Sequence, residues 1–156
     1  VGCITTIDGQ RERQFLTQIR EVAPQLVEAS AKALHDHLRT LSSPPTLIVP
    51  VLSLRRPTLV ADFAARLARK LGLPLVNAVQ HTVQHPPQAE MRNSYQQTLN
   101  VLERFIVVKP LHGEAILLVD DVADSRWTLT VLGDLLQRHG AGAVHPFVIA
   151  VTNTSD

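Results

Sequence analysis

Ile116-Leu117-Leu118-Val119-Asp120-Asp121-Val122-Ala123-Asp124-Ser125-Arg126-Trp127-Thr128 is the stretch on which the fold turns. Its four opening apolar residues, unbroken by a polar one, read as a strand buried on both faces, the habit of strands in parallel sheets. That strand delivers two adjacent carboxylates, Asp120 and Asp121, to its carboxyl end. A short polar turn follows, and from Thr128 to His139 apolar residues recur at helical spacing until Gly140. A helix N-terminus presents unpaired N–H groups and a positive dipole end, so Asp124 to Thr128 reads as a phosphate cradle, with Ser125 and Thr128 adding hydroxyl donors. Asp120 and Asp121 are placed to accept from sugar hydroxyls or to lie near a hard cation such as Mg²⁺. Acids beside an anion cradle suit a ligand with both a phosphate and a hydroxylated sugar. The plainer reading is that Asp124 or Ser125 caps the helix while the two acids are solvated in a turn. Capping accounts for one residue of the group and leaves the doubled acid unexplained.

The chain on either side alternates strands with helices. Arg11 to Leu41 has helical spacing, interrupted by Pro24, which predicts two helices or one kinked there. Thr46–Leu52 is an apolar run of strand length, and Thr58–Leu71 carries a helical stripe stopped by Gly72. Leu73–Val79 reads as a second strand, Phe105–Val108 as a third, Ala115–Val119 as a fourth and Ala143–Val151 as the last. His81 to Arg92, with Pro86-Pro87 and no hydrophobic period, reads as a long polar loop, and a short helix is expected over Asn93–Leu102. This order predicts an open, mostly parallel α/β sheet with helices on both faces, the first helices and the polar loop forming a small hood. Ligands of such sheets bind beyond the carboxyl ends of the strands, which directs attention to Ser53–Pro57 and Asp120–Thr128.

At 156 residues the chain is expected to be one domain over positions 1–156, and its opening at Val1 rather than Met reads as a piece excised from a larger protein. A hydrophobic share of 45% against 19% charged residues supports a core and argues against disorder. A net charge of +1 gives no electrostatic footprint for tight nucleic-acid or membrane binding, and six aromatic residues leave few stacking platforms for single strands. The sequence has no GxxxxGK[ST] loop and so no ATP-driven motor of that type. No apolar run approaches the ~18 residues of a membrane span, and no leader opens the sequence, so a cytoplasmic location is expected. Cys3, the sole cysteine, is read as lying in an exposed terminal segment, and it allows neither an intrachain disulfide nor a cysteine zinc site. The seven histidines lack ligand spacing and read as scattered and solvated: His35 and His37 point to different sides of a helix, and His81 and His85 have no HExxH context. Arg55-Arg56 reads equally as a solvated turn or an anion contact, and Arg66, Arg69 and Lys70 as the exposed face of their helix. A phospho-acceptor receiver domain also carries an apolar strand ending in two acids. There the pair follows the first strand and a Lys lies well downstream, whereas only 35 residues follow Asp121 here and no Lys follows Lys109.

The segment Ile116–Thr128 resembles the signature of type I phosphoribosyltransferases: four apolar residues, two acids, two apolar residues, Thr/Asp/Ser, Thr/Ser, glycine, any residue, Thr/Ser. Every position agrees except the glycine, which is Arg126. Val49 to Pro57 resembles the first strand and pyrophosphate loop of the ComF-like branch, and Arg92-Asn93-Ser94 through Gln97, Asn100 and Phe105 its mobile loop and following strand. Ser125-Arg126-Trp127-Thr128 and His145-Pro146-Phe147 resemble the phosphoribosyltransferase-like domain at the carboxyl end of certain bacterial RecQ-like DNA helicases. The resemblance implies phosphoribosyl pyrophosphate or a nucleotide as ligand, with Asp120 and Asp121 on the ribose hydroxyls. It places Asp124, Ser125, Arg126, Trp127 and Thr128 around the 5′-phosphate, and Ser53, Leu54 and Arg55 at the pyrophosphate. Mg²⁺ comes with the ligand near Asp120 and Asp121 and is not held by the protein directly. In purine-using relatives the acid at the position of Asp124 is the candidate catalytic base. The implied partners are helicase domains of the parent chain, with weak or no direct nucleic-acid binding by this domain and no membrane.

Arg126 leaves two functions open. Glycine in a phosphate turn permits close backbone approach and positive φ, and another residue in that conformation costs roughly 1–2 kcal/mol. Either the guanidinium pairs with the phosphate, or it fills the phosphate's place. The first alternative suits a working Mg²⁺-dependent transferase of ribose 5-phosphate to a nucleobase, the second a regulatory or docking module with an altered site.

Overall fold

The computed structural model describes residues 2–3, 23–53, 57–82, 104–123 and 127–151. The elements in chain order are β1 (Gly2–Cys3), α1 (Pro24–Leu38), β2 (Leu47–Pro50), α2 (Pro57–Leu71), β3 (Val79–His81), β4 (Phe105–Val107), β5 (Ile116–Ala123), α3 (Trp127–Arg138) and β6 (Val144–Val151). Four strands form one parallel sheet in the order β1-β6-β5-β2, and β3 pairs antiparallel with β4 in a separate two-stranded ribbon.

The unbroken apolar run of β5 is explained by its place in the sheet. It pairs with β2 on one side (Leu47↔Ile116 through Pro50↔Val119) and with β6 on the other (Ile116↔Val144 through Ala123↔Val151). Ile116, Leu117, Leu118 and Val119 are all at most 1% exposed. Strand alternation then divides the core in two. Ile48, Leu117, Val119, Phe147 and Ile149 pack under α1 and α2. Leu47, Val49, Ile116, Leu118 and Val148 pack against α3 and the β3–β4 ribbon. The expected α/β class, with a mostly parallel sheet and helices on both faces, is the fold observed.

Each helix buries the stripe its sequence marks out. In α1 these are Val27, Ser30, Ala31 and Leu34, with the Ser30 hydroxyl donating to Leu26 O at 2.6 Å. In α2 they are Leu59, Val60, Phe63, Ala64, Leu67 and Ala68, and the Phe63 ring stacks on Phe147 with centroids 6.2 Å apart. Lys70 on α2 forms an ion pair with Glu28 on α1. Both α2 and α3 stop where glycine permits positive φ. Gly72 (φ 67) follows α2 with Leu73 N donating to Ala68 O, and Gly140 (φ 97) follows α3 with Ala141 N donating to Leu136 O.

Several expectations are corrected. The helix expected to reach Leu41 ends at Leu38, because the Thr40 hydroxyl and amide both turn back onto His37 O. Pro24 is the first residue of α1, where its missing N–H costs nothing. The expected helix from Arg11 up to residue 22 and that over Asn93–Leu102 lie outside the described residues. α1, assigned from sequence to the hood, lies in the helical layer on the sheet. Leu73–Val79 is not one strand. It touches β2 only at Leu75, through Ile48 N to Pro74 O and Val76 N to Ile48 O, and a bond from Ala78 N to Val76 O then turns the chain into β3. The third strand, β4, pairs antiparallel with β3 rather than joining the parallel sheet. The backbone of Cys3 pairs with β6 at Val148.

Candidate ligand site at the carboxyl edge of the sheet

β2 and β5 are neighbours and parallel, so the connections that leave their carboxyl ends emerge side by side. The last sheet bond along this pair runs from Val51 N to Val119 O at 2.8 Å. It sets Ser53, two residues further along, at the same edge as Asp120 and Asp121.

The two acids differ in placement from the sequence expectation. β5 continues through them to Ala123, with Asp120 opposite Val148 of β6 and Val122 opposite Ala150. Asp120 is 8% exposed and Asp121 6%, so the alternative of a solvated turn does not describe them. Asp121 N donates to Asp120 Oδ1 at 2.8 Å, fixing the first carboxylate against the following peptide. Adjacent residues of a strand point to opposite faces. Asp120 therefore shares the α3 face with Ile116 and Leu118, and Asp121 the α1–α2 face with Leu117 and Val119. Charged groups are rarely taken out of water unless partnered or functional.

Trp127 is the first residue of α3 and is 42% exposed, while Thr128 beside it is half-buried. Ser53 is half-buried just past β2. Leu54, Arg55, Asp124, Ser125 and Arg126 lie outside the described residues. The structure thus brings Ser53, Asp120, Asp121, Trp127 and Thr128 to one edge.

One residue at this edge escaped the sequence reading. His81, expected in a solvated loop, is the last residue of β3, half-buried, with its ring tilted over Phe105 at 4.4 Å and its Nε2 2.6 Å from Leu52 O. The signal was the two-residue spacing of Val79 and His81, which face Val107 and Phe105 across the ribbon. His139 and His145 likewise bond backbone carbonyls, those of Leu135 and Ser43. Among the described residues no three His, Cys, Asp or Glu side chains cluster as a metal site, and no helix is long and apolar enough to cross a membrane.

An open parallel sheet with paired acids buried at the carboxyl end of a central strand, and a helix starting just beyond them, is the arrangement in which open α/β sheets place their ligand sites. The chain belongs to the phosphoribosyl transferase domain family, which matches it over residues 21–155. Solved structures share the fold. The adenine phosphoribosyltransferase of Leishmania tarentolae superposes with a TM-score of 0.56 at 21% identity, over 83% of this chain and 59% of that enzyme. The purine phosphoribosyltransferase of Pyrococcus horikoshii gives 0.53 at 22% identity, over 88% of this chain and 84% of that one. The adenine phosphoribosyltransferase of Saccharomyces cerevisiae, solved with an imino-altritol bisphosphate and adenine, gives 0.53 at 19%, over 83% and 70%. The chain thus spans about three-fifths of the Leishmania enzyme's length. No curated protein sequence matches it significantly.

Proposed function

We propose that this chain is a binding module for phosphoribosyl pyrophosphate or a nucleotide, serving a regulatory or docking role at the carboxyl end of a RecQ-like ATP-dependent DNA helicase. The observation that carries the binding reading is the burial of Asp120 and Asp121 inside β5, at the edge where Ser53 leaves β2. In this reading the two carboxylates accept from the ribose hydroxyls. Asp124, Ser125, Arg126, Trp127 and Thr128 surround the 5′-phosphate at the start of α3, and Ser53, Leu54 and Arg55 meet the pyrophosphate. Ser53, Asp120, Asp121 and Thr128 offer oxygens at this edge, which fits a hard cation arriving with the ligand's diphosphate; bound there, Mg²⁺ would supply neutralisation of the diphosphate charge. The helicase parent rests on the likeness of Ser125-Arg126-Trp127-Thr128 and His145-Pro146-Phe147 alone.

A second reading, a working transferase, is favoured by family membership together with the retained acid pair. Its chemistry is displacement of pyrophosphate from ribose C1 by a nucleobase nitrogen, with Asp124 as the base near the ring. Positive charge develops at C1, and the nearby carboxylates oppose it. The fold-sharing enzymes act on adenine and other purines, so adenine is the first acceptor to try.

Thermal unfolding against phosphoribosyl pyrophosphate, with and without Mg²⁺, tests the site, with AMP and inorganic phosphate as comparisons. Ligand at 100 times its Kd adds ~2.7 kcal/mol, a rise of roughly 5–10 °C in Tm at this size. Arg126→Gly separates the readings: affinity rises where the arginine closes the site and falls where it holds the phosphate. No shift with any ligand up to millimolar concentration, in either protein, overturns the binding module and leaves a purely structural docking domain.

A further inference from the structure

The bond from His81 to Leu52 joins two parts of the fold that the parallel sheet alone does not connect. After the contact between Ile48 and Leu75, residues 74–76 run alongside β2, and the turn closed by Ala78 N and Val76 O swings β3 away as half of the antiparallel ribbon. The ribbon is framed by Val108 N donating to Ala78 O and Thr82 N to Arg104 O, both at 2.8 Å. His81 lies at its far end and reaches back over 29 positions to the carbonyl of Leu52, two residues past the end of β2. A carbonyl oxygen only accepts, so Nε2 carries the hydrogen. The face of Phe105, itself 6% exposed, fixes the ring that presents it.

We propose that His81 is a positioning residue: its Nε2–H holds the Leu52 carbonyl and thereby sets where Ser53 stands at the diphosphate end of the ligand. The inference rests on the binding reading above for its ligand, but not for the anchoring itself. Leu52 is secured from two directions. Val51 N binds Val119 O on the β5 side, and Leu52 O accepts from His81 on the ribbon side. Without the second tie the exit from β2 loses its bond to the ribbon. A ligand group that meets Ser53 then pays more ordering entropy, whereas one that meets only the acids and the start of α3 does not.

Two variants separate the ring from its donor. His81→Phe keeps a ring over Phe105 and loses the N–H; His81→Gln loses the ring and keeps an N–H that can reach a carbonyl. Trp127, the sole tryptophan and exposed at the start of α3, is the fluorescence reporter for titrations with inorganic pyrophosphate and Mg²⁺, phosphoribosyl pyrophosphate and Mg²⁺, and AMP. The expected result is pyrophosphate and phosphoribosyl pyrophosphate binding weakened about three- to tenfold in His81→Phe, the scale of one hydrogen bond, with AMP unchanged and His81→Gln largely restored. Equal weakening of all three ligands, or of none, overturns the proposal. Trypsin supplies a ligand-free measurement, since Arg55 lies three residues past Leu52. Cleavage of the Arg55–Arg56 bond is faster in His81→Phe than in wild type and slows again in His81→Gln, the Arg56–Pro57 bond being closed to trypsin by its proline; equal rates in all three overturn the anchoring. In the wild-type protein the ¹⁵N shifts of the His81 ring report a protonated Nε2, and an unprotonated Nε2 overturns it as well. If wild type binds none of the ligands, the binding reading fails, and the cleavage and ring-nitrogen measurements still decide the anchoring.

Discussion

Asp120 and Asp121 are adjacent in sequence but belong to opposite faces of the sheet, and this makes them unequal. Asp120 shares the α3 face, with the helix whose first turn holds Trp127 and Thr128, and it also accepts from Asp121 N. Asp120→Asn keeps the acceptor oxygen and the side-chain volume while removing the charge. It is expected to weaken nucleotide binding at least tenfold, and more than Asp121→Asn does, with ligand-free unfolding changed by about 1 kcal/mol or less; isothermal titration of both variants with AMP checks the order. Away from the site, Glu114 accepts from His112 N, and this bond, together with its own backbone, holds its carboxyl below the ordinary value. A carboxyl whose pKa is lowered on folding stabilises the fold above its unfolded pKa and loses that contribution as pH falls through the folded one. The stability difference between wild type and Glu114→Gln is therefore expected to vanish on acidification, as urea unfolding at a series of pH values will show.

The helix ends were legible as glycines, but their tolerances differ. Gly72 and Gly140 both follow helices with positive φ, yet a Cβ at Gly72 meets open space, whereas one at Gly140 would stand 2.2 Å from Leu111 O. Gly72→Ala is expected to cost about 1–2 kcal/mol, the conformational term alone. Gly140→Ala must also push apart two backbones, 111–114 and 140–142, which are tied by Gly113 N to Gly140 O and Gly142 N to Glu114 O. It is expected to cost at least about 2 kcal/mol more than Gly72→Ala, measured by urea unfolding of the pair. Sequence spacing marks both helix stops and is silent on this difference, because the crowding comes from Leu111, far back in the chain. The same holds for strands. Ala115–Val119 was legible as strand because its burial on both faces leaves no polar alternation. Leu73–Val79 looked equally apolar, but Pro74 lacks an N–H, and the chain departs from β2 after Val76.

For the whole molecule, charge balance is the relevant quantity. With 15 Lys and Arg against 14 Asp and Glu there is little counterion release to gain from a phosphate backbone. The chain by itself is expected to bind single-stranded DNA no tighter than about the micromolar range at ~0.15 M salt, near the non-specific limit; fluorescence anisotropy with a labelled oligonucleotide measures this. The sequence by itself determined the alternating α/β class, the central buried strand, the helix stripes and the segment bearing the acids. All of these are local patterns of hydrophobic period, capping and turn chemistry. The tertiary structure decided the rest. It carried the strand past Val119 through Asp120 and Asp121, since pairing with β6 continues beyond them to Ala123. It folded β3 and β4 into a ribbon of their own and brought His81 to Leu52, contacts between residues far apart in the chain whose partners no local period encodes.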